Sequence, residues 1–278
     1  MEHREGTFRG RGGLGIHWQA WRDDARIRAA VVISHGAAEH SGRYRHVVER
    51  LVPDGYAIAA LDHRGHGRSQ GRRAVIDRWA NAVADLDTFV DRARDERPDI
   101  PLFLLGHSLG GAIALSYALE HQDKLDGLIV SAPAAALEAA SPVVRLASKV
   151  LSAVVPTLGV FAVDPAAISR DEREVDAYAT DPLVHHGKLP ARTVAEVAAA
   201  IEGYPSRVHV LELPLLVMHG TADRLAPLAG TQMIHAGARS ADKQVELYDG
   251  FYHEIFNELP EDRERVLDDL AAWLAAHS

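Results

Sequence analysis

The chain reads as an α/β protein: a mostly parallel central sheet covered by helices on both faces. Two observations predict this. Short, continuously apolar runs such as Ala29 to Ser34 (AAVVIS) have the composition of strands buried on both sides, and segments with apolar residues at helical spacing alternate with them. The second is the stretch Leu102 to Gly111 (LFLLGHSLGG), where an apolar run passes through Gly106-His107-Ser108-Leu109-Gly110 straight into a helix-compatible segment, Gly111 to Glu120. Strand, sharp turn and helix follow one another without a linker.

Taken in order, Gly6 to Trp21 alternates weakly around turn glycines, which predicts an antiparallel hairpin at a sheet edge. The AAVVIS strand ends in the loop His35 to Tyr44, and a helix over Arg43 to Asp54 places Val47, Val48 and Leu51 on one face before stopping at Gly55. Tyr56 to Leu61 is the next strand, and the glycine-rich polar stretch Asp62 to Ser69 cannot continue it. Ile76, Trp79, Val83, Leu86, Val90 and Ala93 then recur at three-four spacing, so a long helix over Asp77 to Arg97 packs one face on the sheet. Pro101 to Gly106 is the strand before the sharp turn, Ser108 to His121 its helix, and Gly127 to Val130 the core of a further strand.

After Ser131-Ala132-Pro133 the alternation breaks. Residues 134–210 carry helical and loop signals and no convincing strand; the alternation resumes with Leu213 to His219, a helix over Pro227 to Ala238, the strand Gln244 to Tyr248 and a last helix over Asp262 to Ala276. The expected organisation is a core formed by 1–133 and 211–278, with 134–210 inserted as a largely helical cap, or lid. Within the insertion Val143 to Val155 is apolar, with Arg145, Lys149 and Ser152 on one side of a helix. It serves either as the core of the cap or as a face that meets lipid or gates a pocket.

Composition narrows the function. At 278 residues the chain can bury one sizeable core, and its formal charge of −9 argues against a nucleic-acid partner, because such binding draws its affinity from basic residues. The absence of cysteine excludes disulfides, thiolate metal sites and a cysteine nucleophile. Met1 to Gly15 holds no apolar block of the kind an export signal needs, and no window is apolar enough to span a bilayer, so a cytoplasmic or peripherally membrane-associated protein is expected. The 16 histidines include no H-E-x-x-H helix, and no G-x-G-x-x-G or P-loop opens a helix; neither metal nor organic cofactor is expected. Oligomeric state leaves no signature in the sequence.

A serine at the tip of a G-x-S-x-G turn projects its hydroxyl, and the small residues two before and two after it let the chains crowd. Ser108 is therefore the candidate nucleophile. It needs a base to take its proton and an acid to orient that base. Of the histidines late in the chain, His235 falls in a helix and His277 is penultimate, whereas His253 lies in the loop between a strand and the final helix and is the candidate base. Asp223, in the turn after the LLVMH strand, projects from the same carboxyl edge and is the candidate acid; Asp249 and Glu254 read as solvated loop charges too near His253 in sequence. Backbone N–H groups of Leu109, after the nucleophile, and of Ala37, after the AAVVIS strand, are the candidate oxyanion donors.

The motifs HGAAEHSGRY at 35–44, LDHRGHGRS at 61–69, GHSLGG at 106–111, SAPA at 131–134, ISRD at 168–171, AYATDPLVHHG at 177–187, MHGTADRL at 218–225 and YHEIFNE at 252–258 resemble the bacterial monoacylglycerol lipases of the α/β-hydrolase superfamily. The resemblance runs almost the full length. It implies an α/β-hydrolase fold and cleavage of monoacylglycerol to glycerol and fatty acid through an acyl-enzyme on Ser108. It also implies that Glu39, Arg43 and His107 form a polar pocket for glycerol, reached by Tyr178 from the cap. Transient contact of the cap with a membrane or lipid surface is expected from the apolar stretch Val143 to Val155. Glu39 and Arg43, four apart, equally suit an ion pair bracing the loop, and the two roles are compatible. Ala38 departs from the glycine common in that motif. The same triad would serve a lysophospholipase or general carboxylesterase, and the fold alone would serve a ligand-binding module.

Overall fold

The computed structural model describes residues 1–23, 27–137 and 151–278. An eight-stranded sheet runs through the molecule in the order β1-β2-β4-β3-β5-β6-β9-β10. Its first two strands, β1 (Glu2–Arg9) and β2 (Gly15–Arg22), form the expected hairpin, which starts a few residues earlier than the alternation suggests. β2 is antiparallel to β4 (Tyr56–Leu61); from β4 onward, β3 (Ala29–Ser34), β5 (Leu102–His107), β6 (Gly127–Ser131), β9 (Leu215–Gly220) and β10 (Lys243–Tyr248) are parallel.

The unbroken apolar runs follow from this placement. In β5, Leu102 and Leu104 join the core beneath α2 (Trp79–Glu96) and α3 (Leu109–His121), while Phe103 and Leu105 join the opposite core beneath α1 (Arg45–Leu51) and α7 (Pro260–His277). Every side chain of such a strand leaves water, and truncating one of these leucines to alanine costs about 2–5 kcal/mol. The first helix is shorter than its apolar spacing predicts. A 3₁₀ turn, Ser41–Tyr44, precedes it, because Asp62 accepts both the N–H and the hydroxyl of Ser41 at 2.8 and 2.6 Å and fixes the chain there in a tighter turn.

Between β6 and β9 the described residues 132–137 and 151–214 leave the sheet. They include β7 (Gly159–Phe161), α4 (Glu172–Thr180), β8 (Leu189–Pro190) and α5 (Ala191–Arg207), and α6 (Leu228–Gly237) follows β9. The expectation of no strand in this block fails at one place: β7 and β8 form a two-stranded antiparallel ribbon, too short for alternation to mark. Of the apolar stretch 143–155, residues 143–150 lie outside the described residues, and 151–154 are helical.

The topology decides where chemistry can occur. The chain passes from β3 to β4 on one side and then to β5 on the other, so the strand order reverses at β3/β5, and open α/β sheets place their sites at such a point. β3 and β5 are paired, Ser34 opposite Gly106, which brings the loop carrying Ala37 beside the turn carrying Ser108. Asp223 follows β9 and His253 follows β10, at the same carboxyl edge.

Candidate active site

Ser108 sits at φ 53°, ψ −119°, a strained conformation for a residue with a side chain. The flanking glycines are compelled. A Cβ on Gly110 would lie 2.0 Å from the Ser34 carbonyl oxygen and 2.3 Å from that of His35; one on Gly106 would lie 2.6 Å from both the Ala114 Cβ and the Gly110 oxygen. The turn is held by Ser108 N–H donating to Ser131 O (3.0 Å), Ala134 N–H donating to Ser108 O (3.0 Å) and the Ser34 hydroxyl donating to Gly110 O (2.9 Å).

His253 Nδ1 lies 2.7 Å from Asp223 Oδ2. The carboxylate can only accept, so Nδ1 carries the proton and leaves Nε2 as the basic nitrogen. Asp223 itself is heavily supported: its Oδ1 accepts the N–H groups of Leu225 (2.7 Å) and Ala226 (3.0 Å), and its Oδ2 accepts from His219 Nε2 at 3.0 Å as well as from His253. Burial alone would push this carboxyl up, but the bonds from His219, His253 and Ala226 outweigh it and hold Asp223 far below the ordinary carboxylate range.

His219 is a residue that the sequence reasoning passed over. Its Nε2 faces both Asp223 Oδ2 and Ala226 O (3.2 Å), so that nitrogen is protonated, and Nδ1 accepts the Thr231 hydroxyl at 2.7 Å. The available signal was a histidine ending a buried apolar strand, four residues before the acid.

A cavity of about 220 Å³ opens over the turn and is lined by Ala37, Ser108, Leu109 and His253, with apolar walls that include Ile168, Val194, Val197 and Ile201. Among the described residues the N–H groups of Ala37 and Leu109 donate to no protein acceptor. Glu39, His107 and Tyr178 also line the cavity. Arg43 does not. Its guanidinium lies over the Tyr178 ring, 4.6 Å from the centroid, and donates to Glu254 Oε2 at 2.7 Å, while its Nε is 3.9 Å from Glu39 Oε2.

Glu254 corrects an expectation. It is buried against Arg43 and Asn257 and lines the cavity, instead of being a solvated loop charge; Asp249 is exposed and accepts the Thr221 hydroxyl at 3.0 Å. Burial, and then repulsion from Glu254, raise the Glu39 carboxyl to about 7 against the pull of Arg43. Its Oε1 accepts Gly36 N–H at 2.5 Å and the Tyr44 hydroxyl at 2.8 Å. His107 packs its ring 4.7 Å from that of His253, and its Nδ1 reaches Ser131 O at 3.2 Å. Burial, reinforced by the adjacent His253, holds it well below the usual histidine range, so it stays neutral. The remaining histidine pairs serve the scaffold: His35 Nε2 accepts His63 N–H at 2.9 Å, and His66 Nδ1 donates to Arg64 O at 3.0 Å. Among the described residues no group of three or more histidine or carboxylate side chains is placed so that it could hold a metal ion.

The parallel sheet with its reversed strand order, and the strained turn set where that order reverses, define an α/β-hydrolase. The chain belongs to the Hydrolase_4 family, described as serine aminopeptidase S33, whose model matches residues 25–260. Among its relatives is a monoacylglycerol lipase of Mycolicibacterium smegmatis, 41% identical over 274 residues that cover 98% of this chain and 97% of the relative. The Mus musculus monoglyceride lipase is 35% identical over 265 residues, covering 95% and 88%. Among solved structures, the Paleococcus ferrophilus monoacylglycerol lipase superposes with a TM-score of 0.82 at 30% identity over the whole of both chains.

Proposed function

We propose that this protein hydrolyses monoacylglycerols to glycerol and free fatty acid. Ser108 attacks the ester carbonyl, His253 Nε2 takes the serine proton, and Asp223 holds the ring and stabilises the imidazolium that forms. The carbonyl electron pair moves onto oxygen, where the N–H groups of Ala37 and Leu109 receive it. As the tetrahedral intermediate collapses, His253 returns the proton to the departing glycerol oxygen; a water molecule then repeats the sequence on the acyl-enzyme and releases the fatty acid.

The observation that carries this reading is one cavity that Ser108 and His253 line together with apolar side chains and with polar ones. Its walls suit an alkyl chain, while Glu39, Glu254 and His107 supply hydrogen-bonding groups for a small polyol. Relatives named monoacylglycerol or monoglyceride lipase at 41% and 35% identity support the same substrate. In this reading Arg43 acts through Glu254 and Tyr178, and residues 134–210 form the cap over the cavity. Its described rim exposes Val154, Val155, Leu158, Val160 and Phe161, an apolar edge suited to transient contact with a lipid surface. No described helix is long and apolar enough to cross a membrane.

A second reading has its own support, since the Bacillus subtilis phospholipase YtpA is 33% identical over 260 residues and the same triad would cleave a lysophospholipid. Fatty-acid release from mono-, di- and triacylglycerols and lysophosphatidylcholine separates the two. Fastest release from the monoacylglycerol is expected; equal rates on all four, or a preference for lysophosphatidylcholine, would overturn the assignment.

A further inference from the structure

The loop after β3 is not self-supporting. Gly36 N–H is tied to Glu39, but the next bend falls at Ala38, which sits at φ 67°, a left-handed conformation that a residue with a Cβ enters at a cost. Beside the core ties through Glu39 and Asp62, the bend is held by the inserted segment. His185 N–H donates to Ala38 O at 2.8 Å. Two residues further on, His40 Nε2 lies 2.9 Å from Asp181 Oδ2. His40 Nδ1 accepts Gly42 N–H at 3.1 Å, so its proton is on Nε2 and is given to Asp181.

Asp181 in turn shapes the segment that delivers His185. Its Oδ1 accepts Leu183 N–H at 2.7 Å, and its carbonyl accepts from His186 Nε2 at 2.8 Å. Arg73 adds a tie from the core, donating to Leu183 O at 3.0 Å and to Gly67 O at 2.7 Å. Both halves of the clasp, His40–Asp181 and Ala38–His185, grip the chain immediately beyond Ala37.

We infer that the segment 181–186 of the cap positions the oxyanion hole, with Asp181 as the positioning residue: the cap sets the place of the Ala37 N–H by clamping Ala38 and His40. This rests on the reading of Ser108 as nucleophile and Ala37 as oxyanion donor. It assigns the cap a second role beyond covering the acyl chain. Undocking this segment would release the strained bend and disperse the oxyanion donor, so hydrolysis is tied to cap seating.

Asp181→Asn tests it. The amide oxygen still caps Leu183 N–H, but its NH₂ faces the His40 Nε2–H, donor against donor, and the clasp opens. The probe is an alkyl trifluoromethyl ketone. Ser108 Oγ adds to its carbon, the serine proton passes to His253, and the carbonyl electron pair moves to the oxygen that Ala37 and Leu109 hold. The expected result is a fall of about tenfold in kcat on p-nitrophenyl butyrate with KM within twofold, and an equal loss of ketone affinity, while thermal midpoint and fluorophosphonate titre stay at wild-type values. Adding His40→Gln restores an amide pair and is expected to recover activity to within about threefold of wild type.

Unchanged ketone affinity in Asp181→Asn, with an intact fluorophosphonate titre, would overturn this inference alone; so would a loss of thermal stability with kcat and ketone affinity unmoved. A wild-type protein that takes up neither ketone nor fluorophosphonate would overturn the Ser108 reading, and this inference with it.

Discussion

Gly110→Ala puts the elbow geometry to its most direct test. The added methyl would approach the carbonyl oxygens of Ser34 and His35 to 2.0 and 2.3 Å, roughly 1 Å or more inside ordinary contact. Neither oxygen belongs to a flexible side chain. The clash must therefore be relieved by moving the first turn of α3 away from β3, which also loosens the bond from the Ser34 hydroxyl to Gly110 O. Ser108 and the Leu109 N–H ride on that turn, whereas Ala37 belongs to the β3 side. The two proposed oxyanion donors thus separate by about the relief distance, and misplacement on the order of 1 Å costs about 10²-fold in rate. Overpacking at this contact costs about 1–3 kcal/mol of stability, so a substantial folded fraction should survive for kinetics. The assay is kcat/KM on p-nitrophenyl butyrate, normalised to folded protein by calorimetry. Activity within twofold of wild type would refute the claim that the close approach of α3 to β3 sets the site.

Asp223→Asn is expected to lower kcat by about 10³-fold or more, because an amide cannot hold His253 with its proton on Nδ1; single-turnover hydrolysis with an intact thermal midpoint checks this. His219→Phe removes one of the donors that keep Asp223 ionised, and a fall of about tenfold in kcat is expected, with an unaltered rate counting against any role for His219. Val154→Asp and Leu158→Asp, on the exposed cap rim, are expected to weaken sedimentation with phospholipid vesicles while leaving hydrolysis of a soluble short-chain ester unchanged. For pH, burial depresses His35 to about 3, His66 to about 4 and His63 well below its ordinary value. Between about 6.5 and those values only the unfolded chain takes up the protons, so this stability is complete above about 6.5 and is lost on acidification. Glu39, raised to about 7, acts oppositely, since the folded chain retains its proton up to that pH and gains stability as pH falls toward 4.5. With four imidazoles, the likewise depressed His107 included, against one carboxyl, the thermal midpoint is expected to fall between pH 7 and pH 5; a flat midpoint by calorimetry would refute the sign.

The inner strands of the parallel sheet were legible because they are buried on both faces and so carry few polar interruptions: AAVVIS and LFLL needed no tertiary knowledge to be found. The insertion was legible only as a break in rhythm. Its ribbon, β7 with β8, pairs three residues with two and has no alternation to detect, because its stability comes from neighbours instead of a patterned face. Likewise the first helix begins later than its apolar spacing predicts because the Asp62 carboxylate, twenty-one positions from Ser41 in the chain, decides where the turn lies.

The site divides along the same physical line. Ser108, Asp223 and His253 could be chosen as candidates from sequence because strand ends converge at one edge of a parallel sheet, and the chain order of nucleophile, acid and base then leaves few alternatives. Glu254 was misread for a reason internal to that logic: proximity to His253 in sequence says nothing about which way its side chain turns, and here it turns from the loop to meet Arg43, more than two hundred residues away. The same long-range pairing draws Arg43 off the cavity wall that Glu39, four residues earlier, does line. Motif spacing can place a charged residue near a site, but its role depends on the countercharge that claims it. In this buried cluster Arg43 sits at 2.7 Å from Glu254 and 3.9 Å from Glu39, and burial, with repulsion from Glu254, raises the Glu39 carboxyl to about 7 against the pull of the guanidinium. With its carboxyl raised to about 7, Glu39 in the proposed reading can offer a hydroxylated leaving group a donor as well as an acceptor near neutral pH.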